Sequence, residues 1–264
     1  MVKEFKDKNE WALILGGSSG LGLATAKKLA KHGMNICIVH RNLRFQQEEI
    51  ENEFKKITQE NVNFISYNTD ACRLDNRVSV IEDISQKIDN GKIKILVHSI
   101  AKGNLKPMIS YTNPTLQTDD FQLTIQAMAI SLYDWTKDIF KAKLFSNDSR
   151  VISFTSEGNS KAWINYAAVS AAKVTLEAIT RNIALEFAPF GIKANCIQAG
   201  VTDTASLNMI PGSDKIKKYS LLRNPFHKLT LPEDIANVVY LLSKDEASWI
   251  NGTIIPVDGG EHLS

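Results

Sequence analysis

Tyr166 and Lys173 stand seven positions apart in NYAAVSAAK, and together they could hold and polarise one bound molecule. A phenol donates a hydrogen bond or a proton, and a nearby ammonium favours its ionised form. On an α-helix, seven steps return to within about 20° of the starting face and advance about 10.5 Å, so both side chains can address the same ligand. The commoner four-residue spacing shares a face but advances only about 6 Å. Upstream, GGSSGLG spans Gly16 to Gly22 between an apolar run and a helical one. Gly16, Gly20 and Gly22 would let a phosphate approach the backbone and meet the helix N-terminus. Alone, such a triplet also reads as a tight strand-to-helix turn.

These residues need a scaffold, and the hydrophobic pattern specifies one. Short apolar runs alternate with longer amphipathic segments, the signature of a parallel sheet with helical crossovers. Strands are predicted at 11–16, 35–40, 62–67, 93–99, 150–156, 192–198 and 253–258. A helix is predicted between the first two strands, ending at Gly33, with others near 43–58, 74–89, 118–143, 165–187 and 231–243. Gly91, residues 147–149 and Gly191 read as loops. The class is α/β, with about seven parallel strands. No repeat or linker interrupts the rhythm, so 1–264 is expected to be a single domain.

Composition narrows the function classes. With 264 residues, 44% hydrophobic and 23% charged, the chain can bury one sizeable core. A net charge of +2 is too small to indicate nucleic acid binding. Cys37, Cys72 and Cys196 are widely spaced, which suggests neither a disulfide framework nor a metal site. The polar N-terminus and the lack of an apolar run near 20 residues favour a cytoplasmic protein without membrane insertion.

The GxxxGxG loop, Asp70 after the third predicted strand and a tyrosine/lysine helix after the fifth resemble the short-chain dehydrogenase/reductase family. The resemblance runs from Trp11 to Gly260 and implies a Rossmann-like doubly wound sheet with helices on both faces. It also implies a dinucleotide held by Gly16, Ser18, Ser19, Gly20, Leu21 and Gly22, with Asp70 and Ala71 flanking the adenine. An acidic residue ending the second strand would accept hydrogen bonds from a free ribose diol. This chain has His40 and Arg41 there, with Arg44 beyond, which favours NADPH and leaves NADH possible. A solvated basic loop is the alternative reading. Tyr133 with Lys137 and Tyr240 with Lys244 have the four-residue spacing but lie on other helices, where they read as amphipathic surface. The usual tyrosine slot, four before Lys173, holds Val169.

Bond geometry gives the displaced tyrosine a meaning. In a ketone, the carbon receiving hydride bears the oxygen that becomes negative, about 1.2 Å away. In an α,β-unsaturated thioester, hydride adds at the β-carbon and charge develops on the thioester oxygen, two further bonds off. A phenol one turn outward could stabilise that enolate, while Lys173 holds the nicotinamide ribose. The combination resembles the enoyl-acyl-carrier-protein reductase branch, as do VHSIA at 97–101 and KVTLEAITRNIALEFAPFGIKANCIQAG. By that resemblance Ser99, Ile100 and Ala101 line the nicotinamide side, Gly200, Thr202 and Thr204 approach the carboxamide and pyrophosphate, and Gly103 and Leu207 meet substrate with Tyr166. Ser156 occupies the ordinary family serine slot. With the glycine loop, it is most similar to the NADPH-using type III enzymes. Gln126 appears where a catalytic asparagine is common.

Residues 202–229 lose clear periodicity and carry Leu207, Met209 and Ile210, reading as a substrate lid or as surface helices packed on the core. Lys215, Lys217, Lys218, Arg223, His227 and Lys228 suit an acidic acyl carrier protein bearing an enoyl chain, and suit an ordinary solvated face equally. The C-terminal TIIPVDGGEHLS resembles the family's last strand, implying a homotetramer. Two alternatives compete with enoyl reduction: a ketone or 3-oxoacyl reductase of the same family, and a catalytically silent NADPH-sensing regulator.

Overall fold

Leu13, Ile14 and Leu15 are all fully buried, so the first strand has apolar cover on both faces, as parallel strands under helical crossovers do. The computed structural model describes residues 3–264. Its elements run β1 Glu10–Leu15, α1 Gly20–Lys31, β2 Asn35–His40, α2 Gln47–Thr58, β3 Phe64–Asn68, α3 Leu74–Lys87 and β4 Lys92–His98. They continue α4 Thr118–Ile125, a π turn Gln126–Ile130, α5 Ser131–Lys141, β5 Phe145–Ser156, α6 Ala167–Glu186 and β6 Ile192–Ala199. The last are α7 Ala205–Asn208, α8 Ser213–Arg223, α9 Pro232–Ser243 and β7 Ile254–Val257.

All seven strands pair in parallel, in the order β3-β2-β1-β4-β5-β6-β7. Alternate residues of β1 enter opposite cores, following the two-residue period of a strand. Trp11, Leu13 and Leu15 pack in the layer holding Trp135 of α5 and Leu176 of α6. Ala12 and Ile14 join Leu29 of α1, Phe54 of α2 and Val239 of α9. Each large apolar side chain buried this way contributes about 1.5–3 kcal/mol. Trp135, fully buried, also donates its indole N–H to the Ala71 carbonyl at 2.9 Å, which fixes the chain just beyond β3. Strand order reverses between β1 and β4, and a crevice opens above the strand ends at that switch point. Among the described residues no helix is long and apolar enough to cross a membrane.

Three expectations change. Residues 147–149 belong to β5, since Asp148 accepts from Lys94, Arg150 and Lys193 and so anchors polar residues within the sheet. The helix predicted over 118–143 is broken by the π turn, where the Ser131 hydroxyl donates to the Ala127 carbonyl at 2.8 Å. The helix predicted from 165 begins at Ala167, because Asn165 is left-handed at φ 66° and Tyr166 is the N-cap. Residues 202–229 contain two helices, α7 and α8, as the reading of this segment as surface helices has it.

Candidate active site

The crevice at the switch point is a cleft of about 560 Å³, and of the candidate catalytic, cofactor and substrate residues from the sequence only Gly22, Arg44 and Gln126 do not line it. Gly16 adopts φ 83°, and a Cβ there would lie 2.4 Å from the Ser99 carbonyl oxygen, so a side chain would push β1 away from the end of β4. A Cβ on Gly22 would meet the Gly16 carbonyl at 2.3 Å. Gly22 therefore seats α1 against the loop instead of facing the cleft, a packing role. Ser19 caps α1 with extended backbone but makes no side-chain capping bond, leaving its hydroxyl available beside the helix N-terminus. Glycine loop, free hydroxyl, helix end and cleft size fit a dinucleotide.

At one end of the cleft, β2 and β3 deliver Arg41 and Asp70. Arg41 Nη1 donates to Asp70 Oδ2 at 3.0 Å, and Lys102 Nζ approaches the same oxygen at 3.4 Å. Burial raises the Asp70 pKa, but the Cys72 backbone N–H and the two cations outweigh it, holding the carboxyl below its ordinary range. Of the three basic residues at and beyond the end of β2, His40 and Arg41 line the cleft and Arg44 does not. His40 is buried against Phe54, its Nδ1 2.9 Å from Asn42 Oδ1. Burial lowers its pKa, partly offset by Asn42.

At the other end, β5 and α6 bring Ser156, Tyr166 and Lys173 together. The Tyr166 and Ser156 hydroxyls are 3.4 Å apart. Tyr166 is only 6% exposed, and its ring packs on Trp163 with centroids 5.1 Å apart. Burial raises its pKa, with the Ser156 hydrogen bond acting the other way. Lys173 Nζ donates to the Phe154 carbonyl at 2.7 Å. Burial lowers its pKa, while Cys196 and Glu177 favour the charged form. The hydrogen bond that favours phenolate thus comes from Ser156 rather than from Lys173. Because Tyr166 precedes the helix, the two side chains meet in one cleft without sharing a helix face.

Val169, in the empty tyrosine slot, packs with Tyr166, Met128, Leu207 and Ile210. Gly103 abuts it: a Cβ there would lie 2.7 Å from Val169 Cγ2. Gln126 lies outside the cleft, its amide 3.4 Å from Asp134 Oδ2. Lys102, Trp163, Met128 and Glu157 line the cleft and escaped the sequence reading. Trp163, three residues before Tyr166 in a loop, was the one with a usable signal, a large aromatic beside a reactive one. His98, also lining the cleft, ends β4 fully buried, with Nε2 2.7 Å from Ser131 Oγ. Burial and then the charge of Lys173 bring its pKa down to about 3.

A doubly wound parallel sheet, a glycine loop at its switch point and a Ser/Tyr/Lys cluster across the cleft define an NAD(P)-dependent oxidoreductase of the short-chain dehydrogenase/reductase class. Within that class the chain belongs to the family described as Enoyl-(Acyl carrier protein) reductase, whose model matches residues 16–262. Its relatives are chemically varied. It is 29% identical to the 7alpha-hydroxysteroid dehydrogenase of Paraclostridium sordellii, covering 98% of this chain and 94% of that one. It is 25% identical to the peroxisomal 2,4-dienoyl-CoA reductase of Mus musculus, covering 96% and 84%. The NADH-type enoyl-[acyl-carrier-protein] reductase structure from Aquifex aeolicus VF5 shares the fold, with a TM-score of 0.83, 21% identity and 97% coverage of both chains.

Proposed function

We propose that this protein reduces the C2–C3 double bond of an enoyl thioester carried on acyl carrier protein, with NADPH as reductant, in fatty acid synthesis. One observation carries the reading: the phenol in the cleft belongs to Tyr166, seven residues before Lys173, while Val169 fills the usual slot and shares a buried apolar cluster with Tyr166. NADPH bound along the glycine loop supplies a hydride. Ser19 and the α1 N-terminus hold the pyrophosphate, and Lys173 holds the nicotinamide ribose. Tyr166 donates a hydrogen bond to the thioester oxygen as negative charge develops there, and burial keeps the phenol protonated for that purpose. Ser156 fixes the phenol's direction. The kinship with a dienoyl-CoA reductase supports double-bond chemistry on this scaffold.

Residues 202–229 act as a lid on the acyl chain. Leu207 and Ile210 share a buried apolar cluster with Tyr166, where they exclude water from the developing charge. The acidic carrier protein docks on Lys215, Lys218 and Lys228, which are exposed. Lys217 and Arg223 leave the docking set, the first paired with Asp203 at 2.7 Å and the second with Glu157 and Glu261. The protein assembles as a homotetramer. A ketone reductase is the second reading, favoured by the Ser156–Tyr166 contact and by the hydroxysteroid dehydrogenase relative. Reducing crotonyl thioester with deuterium-labelled NADPH separates the two. Label at C3 of a butyryl thioester supports the proposal, and crotonyl thioester left unreduced by active enzyme refutes it.

A further inference from the structure

Lys102 follows the end of β4, yet its ammonium approaches Asp70, which follows β3. In the sheet order, β2 and β1 lie between those strands. With strands about 4.8 Å apart, the pair spans roughly 14 Å of sheet within the cleft that both residues line. Arg41, from the end of β2, meets the same Asp70 oxygen. One carboxylate oxygen thus faces two cations, and Asp70 Oδ1 is already taken by the Cys72 backbone N–H at 2.9 Å. The cluster carries one positive charge more than it neutralises. Both cationic side chains are accessible, Lys102 at 51% and Arg41 at 60% exposure, so they can turn onto a ligand without desolvation of a buried group.

We propose that Lys102 is a second cofactor-selecting cation, which pivots from Asp70 onto the 2′-phosphate of NADPH together with Arg41. The proposal rests on the NADPH reading above, and not on the enoyl substrate. A phosphate monoester carries close to two negative charges near neutral pH, which matches two cations better than the single charge of Asp70. A free ribose diol offers them no such charge and finds Asp70 Oδ2 already engaged. Lys102 reaches the ligand from the β4 side and Arg41 from the β2 side, so the phosphate would be gripped from two directions.

Fluorescence titration of the full chain with NADPH, NADH and 2′,5′-ADP, in the absence of acyl substrate, tests this. Lys102→Met keeps an apolar stem and removes the charge. It should weaken NADPH and 2′,5′-ADP by about tenfold or more and leave NADH within about twofold, the size expected for a charge-assisted hydrogen bond. Lys102→Arg should retain the preference. Equal weakening of NADPH and NADH would make Lys102 a roof over the adenosine and overturn the proposal, as would an unchanged NADPH affinity. If the unaltered protein bound NADH as tightly as NADPH, the cofactor reading itself would fail. A preference present in the unaltered protein and retained in Lys102→Met would defeat the Lys102 assignment alone.

Discussion

Gly158 lies against the ring of Tyr166 so closely that a Cβ on it would stand 2.5 Å from Tyr166 Cε1. The loop after β5 therefore sets the phenol's position from one side, while Trp163 packs on it from another. Gly158→Ala must shift either the loop or the ring. Displacing a reacting group by about 1 Å costs on the order of 100-fold in rate. The expected result is a kcat reduced about 10- to 100-fold with NADPH affinity unchanged, read by steady-state kinetics beside nucleotide titration.

Tyr166 and Lys173 should separate in the same two measurements. On the proposed function, Tyr166→Phe removes the hydrogen bond to the thioester oxygen and should lower kcat by about 100- to 1,000-fold, leaving NADPH binding nearly intact. Lys173→Ala removes the proposed ribose contact and should weaken both. A Tyr166→Phe enzyme with undiminished turnover would remove the tyrosine from the chemistry.

Burial moves the two members of the pair in opposite directions. Burial raises the Tyr166 pKa and lowers that of Lys173. Loss of NADPH affinity should therefore begin below 10.5, the ordinary lysine value, and loss of proton donation should set in only above 10.0, the ordinary tyrosine value. Titrating NADPH affinity and kcat against pH in parallel checks both shifts.

His98 makes stability depend on pH. Its folded pKa of about 3 lies below the ordinary 6.5, so the unfolded chain binds the proton more readily. Stability is fully present above about 6.5 and is lost as pH falls towards 3. The loss between pH 7 and pH 4 should be ~3 kcal/mol. Urea unfolding across that range should show it, and His98→Gln should flatten the dependence. An equal slope in the variant would assign the loss to other groups.

The sheet was legible because buried parallel strands write themselves as short apolar runs, and β1, β2 and β6 fall within a residue of their expected bounds. β5 was cut short because Asn147, Asp148 and Ser149 read as a turn, whereas three cations from β4, β5 and β6 pair with Asp148. The cleft residues were legible through local patterns, above all the glycine loop and the Tyr166/Lys173 spacing. Lys102 was not, because its partner is 32 residues away and a lone lysine after a strand resembles any solvated loop. Gly22 lies in the motif but faces inward, a distinction that spacing alone does not carry.

The relative rate with two four-carbon thioesters separates double-bond reduction from carbonyl reduction. With NADPH and purified protein, kcat/KM for crotonyl thioester should exceed that for acetoacetyl thioester by at least about 100-fold, the discrimination expected when the phenol is aligned for one oxygen position and not the other. A higher kcat/KM for acetoacetyl thioester would place Tyr166 in carbonyl chemistry and contradict the account.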